Sequence, residues 1–193
     1  MSKRRIRDIR HEELIDAAIR AVAERGYAQV TMTDIAKEAG STAASINYYF
    51  GSKDQLIQAM MLRILRTLKA ANLRNLAGTQ TPYDRLMAEL DANFDEALFT
   101  PETCAIWLQF WANAPYHEGL ARLQRINRQR VTSHFRAELS QLLPKTRLDT
   151  VQQALQAYMD GVWLEAAMSR RPVNAAAAQK EARRVADLML KAG

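Results

Sequence analysis

The sequence predicts an all-α protein: a small N-terminal three-helix unit containing a helix-turn-helix, joined to a larger C-terminal helical domain. Three observations carry that reading. Punctuation along the chain consists of helix stops and starts rather than hairpin signals, with glycines closing periodic stretches at Gly26, Gly40 and Gly78. Thr81-Pro82 and Thr100-Pro101 each place a capping hydroxyl before a proline at the first helical position. Apolar residues recur with the 3.6-residue period of a helix.

In chain order, Leu14, Ala17, Ala18, Ala21 and Val22 define a first helix over about residues 7–25, capped by Gly26. After a short link, Thr33 is expected to N-cap a brief second helix through residue 39, closed by Gly40, and Thr42 to cap a third that reaches Phe50. Two helices joined by a tight glycine-containing turn make a helix-turn-helix. Leu56, Met60, Leu62, Ile64, Leu65 and Leu68 mark a long fourth helix over 53–76, able to connect two domains. Helices over 82–98 and 101–114 follow, the second stopped by Pro115. Long segments at 117–142 and 147–170, bounded by Pro144 and Pro172, and a last helix over 175–190 complete the chain. The expected boundary divides a helix-turn-helix domain with a basic arm, 1–52, from a sensing and dimerisation domain, 53–193.

At 193 residues and 48% apolar content the chain can bury a true core. No run approaches the roughly 20 apolar residues that span a bilayer, and charged residues occupy the N-terminus where a secretory signal would be apolar. A cytoplasmic location is expected. The single cysteine, Cys104, excludes an internal disulfide and a multi-cysteine zinc site. The histidines at 11, 117 and 134 form no ligand cluster, so no metal or other cofactor is expected. Net charge is +6, which attracts polyanions. Arg4, Arg5, Arg7 and Arg10 crowd the first ten residues with Lys3, opposed only by Asp8. They form either a solvated tail or an arm that reaches a minor groove or phosphate backbone.

The segment that follows favours the second possibility. The third helix offers small or hydrogen-bonding side chains, Thr42, Ala43, Ala44, Ser45, Asn47, Tyr48 and Tyr49, which let a helix backbone approach base edges in a major groove. Asn47 is the candidate for a bidentate adenine contact. Thr33, Tyr48, Tyr49 and Lys53 suit phosphate oxygens, and Ile35, Ala36, Ala39, Ile46 and Phe50 are the expected seam between the two short helices. The run Ala39-Gly40-Ser41-Thr42, then Ile46, Tyr49-Phe50 and Ser52-Lys53-Asp54, closely resembles the DNA-binding domain of the TetR family of repressors. The resemblance implies a homodimer that places two recognition helices in successive major grooves of a pseudo-palindromic operator of double-stranded DNA.

In the C-terminal half, Trp107 and Trp111 lie one turn apart on a helix that also carries Phe110 and is apolar over more than half its circumference. Such a pair serves as core or as an aromatic cage for a quaternary ammonium ion. Asn93, at the edge of a stripe containing Phe94, and Asp160, beside Trp163 in an apolar helix, are the polar candidates. A buried Asp160 needs an arginine, a capped backbone or a bound cation as partner. The stripe Leu120, Leu123, Asn127, Val131 and Phe135, with His134 beside it, is the expected dimer surface, paired with the helix over 147–170. Asn93-Phe94-Asp95-Glu96, the Trp107 to Ala112 run, Arg122-Leu123-Gln124-Arg125 and Asp160-Gly161-Val162-Trp163-Leu164 resemble a choline-responsive branch of the same family. That likeness implies repression of choline uptake and glycine betaine synthesis, relieved when choline binds.

Other readings stay open from the sequence: a repressor sensing a different cationic or aromatic molecule, and a protein binding nucleic acid or membrane surfaces non-specifically. An enzyme is not expected, because no phosphate loop, G-x-S-x-G elbow or H-E-x-x-H element is present.

Overall fold

The computed structural model describes residues 3–169 and 172–191, with side chains from Arg7 onward. The described residues form helices α1 (Lys3–Arg25), α2 (Met32–Glu38), α3 (Ala43–Phe50), α4 (Lys53–Leu76), α5 (Pro82–Asn93), α6 (Pro101–Asn113), α7 (Glu118–Leu142), α8 (Lys145–Ser169) and α9 (Ala175–Lys191), and no strand. A 3-10 turn, Ala114–Tyr116, joins α6 to α7. None of these helices is long and apolar enough to cross a membrane.

Three boundaries differ from the sequence expectation, each for a local reason. The first basic residues are the opening turns of α1 rather than a separate arm. No glycine or proline interrupts residues 3–25, and Lys and Arg are good helix formers, so propensity outweighs the unfavourable placement of cations at a helix N-terminus. The cap of α2 is Thr31, not Thr33. Thr31 Oγ1 accepts from the Asp34 amide at 3.1 Å while Asp34 Oδ2 accepts from the Thr31 amide at 2.9 Å, a reciprocal box that Thr33, followed three residues later by Ala36, cannot make. Helix α5 stops at Asn93 because Asp95 builds its own turn: its Oδ1 accepts from the Ala97 amide at 3.0 Å and its carbonyl from the amides of Leu98 and Phe99 at 2.8 Å.

One continuous apolar core runs through the chain. Leu14, Ile15 and Ala18 of α1 meet Ile35 of α2 and Ile46 of α3 at its N-terminal end. Helix α4 packs on both α1 and α5, so it passes from one end of the core to the other. Beyond it, α5 packs on α7, α7 on α8, α8 on α6, and α9 lies across α5 and α8. Helix α6 also packs directly on α1, which gives the C-terminal helices a second connection to the N-terminal unit.

Candidate functional site

The expected reading surface lies on α3. Thr42 Oγ1 caps it by accepting from the Ser45 amide at 3.1 Å, and Ile46 and Phe50 anchor its inner face. That orientation leaves Thr42, Ala44, Asn47 and Tyr48 exposed, the last at 75%. Ala43 and Ser45 are half-buried, and Tyr49 is half-buried edge-on to Tyr48 with ring centroids 5.5 Å apart. Thr33 is exposed on α2 and Arg7 on α1; the side chains of Arg4 and Arg5 lie outside the described residues.

Lys53, expected at a phosphate, is half-buried. Its Nζ lies 5.0 Å from the centroid of the Tyr27 ring, a cation–π arrangement, and burial lowers its pKa. Tyr27 donates its hydroxyl to Asp54 Oδ1 at 2.8 Å and stands 3.4 Å from His117 Nε2 at the start of α7. Burial, then the Asp54 carboxylate, raise the Tyr27 pKa, so the phenol stays a donor. From α6, Gln109 Oε1 accepts from the Tyr27 amide at 3.3 Å. Tyr27, Asp54, Gln109 and His117 thus join the reading head to α6 and α7. Sequence reasoning missed this junction, since its residues come from four separate segments; a polar Gln109 amid an apolar helix was the only hint.

The second feature is a cavity of about 40 Å³, room for a few water molecules, enclosed by α4, α6, α7, α8 and the end of α5. All three tryptophans of the chain line it. Trp107 stands 5.6 Å from Trp111 and 6.0 Å from Trp163 between ring centroids. Trp107 Nε1 and Gln124 Oε1 are buried in its wall without a hydrogen-bond partner among the described residues. Asp160 lines the same space with Arg128 Nη1 3.5 Å away. Burial raises the Asp160 pKa and Arg128 draws it back down. Asn93 reaches the cavity with its Nδ2 donating to the Glu89 carbonyl at 2.9 Å.

Two expected lining residues are elsewhere. Phe94 is fully buried edge-on to Phe99, and Phe110 packs against Trp107 rather than lining the cavity. The expected dimer stripe is likewise corrected. Leu120, Val131 and Phe135 are buried in the chain's own core because this face of α7 meets α5 and α8; Val131 and Asn127 line the cavity, and Leu123 packs half-buried against the core. His134 is half-exposed, with Nδ1 3.1 Å from Oε2 of the buried Glu89. The lining residues Leu68, Leu98, Gln124, Arg128, Gln156 and Met159 were not anticipated, because assigning them requires the relative rotation of four helices. The Cys104 thiol is buried, its pKa pushed up to about 12, which makes it inert.

Residues 14–60 match the bacterial regulatory proteins of the tetR family, and residues 82–191 match the C-terminal domain of BetI-type transcriptional repressors. The chain belongs to the TetR family. Within the family it is similar to the HTH-type transcriptional regulators BetI of Burkholderia mallei and Burkholderia cenocepacia, each 36% identical over 191 residues and 98% of both chains. A TetR regulator from Haloarcula marismortui shares its fold with a TM-score of 0.80 at 25% identity, covering 96% of this chain and 98% of that one. A transcriptional regulator from Saccharomonospora viridis, solved in complex with choline, superposes with a TM-score of 0.76 at 20% identity, covering 94% and 96%. These relatives are transcriptional regulators, so this TetR chain is a BetI-type repressor with an N-terminal DNA-binding head.

Proposed function

We propose that this repressor works in the cytoplasm as a homodimer on a pseudo-palindromic operator and is released when a small quaternary ammonium compound, choline being the first candidate, enters the tryptophan cavity. The genes it governs are then those of choline uptake and glycine betaine synthesis. The observation that carries the reading is the convergence of Trp107, Trp111 and Trp163 with Asp160 around one cavity. Indole faces attract a cation whose charge cannot be met by hydrogen bonds, and a carboxylate adds a counter-charge. The BetI relatives and the choline complex of the Saccharomonospora viridis regulator support the same effector class.

For the dimer, the support is exposed apolar side chains on two neighbouring helices, Leu164 and Met168 one turn apart on α8 and Leu188 on α9. The coupling runs through α6. Positions 107 and 111 share a face, whereas 109 projects about 200° away from both at 100° per residue. A guest that shifts the two indoles therefore moves the helix that holds the Tyr27 amide. The effector shifts the population toward a head-to-head spacing that fits the operator poorly. The test is binding to a labelled duplex from the promoter beside the chain's own gene, at fixed salt, with and without millimolar choline. Tight, sequence-specific binding weakened by choline supports the reading; equal binding to scrambled duplex sinks it.

A further inference from the structure

Resting on that reading of the cavity, the charges around it define the effector more narrowly. Among the described residues two charged side chains line the inner cavity, Asp160 and Arg128, and they already face each other at 3.5 Å, so this wall is neutral overall. The cavity shares Trp111, Gln124, Arg128 and Asp160 with an open outer groove of about 880 Å³. There Arg125 joins Arg128, giving two guanidiniums to one carboxylate, and Arg125 has no ion-pair partner among the described residues. A plain cation entering by this mouth meets a net positive field and competes with Arg128 for Asp160.

We propose that the effector is a zwitterion: a quaternary ammonium held by the indoles and Asp160, bearing an anionic oxygen group that lies in the groove against Arg128 and Arg125. A carboxylate and a phosphate share this chemistry, and both suit a guanidinium through paired N–H donors. Arg128 is then the residue that selects between zwitterion and plain cation.

Titration calorimetry with choline, glycine betaine and phosphocholine tests this, with intrinsic fluorescence as a site-specific reporter because every tryptophan lines the cavity. At least one zwitterion is expected to bind the wild-type protein about tenfold more tightly than choline; the tighter of the two identifies carboxylate or phosphate. In Arg128→Gln, an exposed substitution, the zwitterion is expected to lose that advantage while choline gains, and Arg125→Gln is expected to weaken the zwitterion alone. Choline binding as tightly as both zwitterions, or a preference untouched in Arg128→Gln, overturns the proposal and leaves the quaternary ammonium reading standing. If none of the three compounds binds, that reading falls as well.

Discussion

Asn47 stands on the exposed face of α3, and its side chain has no partner among the described residues, while its carbonyl is held by the Gly51 amide at 2.8 Å. A free carboxamide on a rigid helix is what an adenine edge requires. Asn47→Ala is expected to lower operator affinity by about 1–3 kcal/mol and to leave random duplex unaffected, measured by competition binding. At the other end of the chain, Glu89 raises the pKa of His134 from 6.5, with Glu138 adding to this and burial and Arg130 opposing it. A raised pKa stabilises the fold fully below 6.5, and the contribution is lost as pH rises through the raised value. The Tm difference between wild type and His134→Gln should therefore be largest in mildly acidic buffer and vanish in alkaline buffer; a difference that grows with pH contradicts the pairing. Residue roles were legible where chemistry is local, as with Thr42 capping α3. They were misread where two local choices competed: Thr31 and Thr33 are both plausible caps, and Asp34 decides between them.

Helices, with their glycine and proline boundaries, were the most readable level. Expected and observed limits of α3, α4 and α6 agree closely because Thr42, Ser52 and Thr100 each accept from the amide three residues on. Which face of a helix meets which neighbour was less readable. The stripe on α7 was assigned to a partner chain, yet it builds this chain's own core, since an apolar stripe carries no label for what covers it. The capping box of α2 gives one quantitative check: Thr31→Ala should cost about 1 kcal/mol in denaturant unfolding, more than Thr33→Ala. Helix α6 gives a functional one. Gln109→Ala removes the bond to the Tyr27 amide without touching the cavity or α3. Effector affinity and operator affinity, each measured alone, should stay near wild type, while the ability of effector to release DNA falls. A variant that loses operator affinity outright would place Gln109 in the fold of the head rather than in its coupling.

At the scale of the whole molecule, two properties join the sites: α4 and α6 connect the reading head to the cavity, and exposed apolar side chains on α8 and α9 offer a surface for a second copy. Met168→Glu combined with Leu188→Arg should yield a monomer by sedimentation that keeps its helical signal and loses operator affinity. A dimer that survives both changes would move the interface elsewhere. The order of elements, the helix-turn-helix and the aromatic character of the sensing half were all readable from spacing. The cavity's arginine and glutamine walls were not, because they form only when α7 and α8 are rotated into place. The central claim, that cavity and operator bias one equilibrium, is tested most directly with whichever of choline, glycine betaine and phosphocholine binds most tightly, by measuring its affinity with and without saturating operator duplex. Linkage requires the operator to weaken binding of that compound by the same factor by which the compound weakens operator binding, a coupling of roughly 1–3 kcal/mol. Equal affinity of the compound for the free and DNA-bound protein would contradict it.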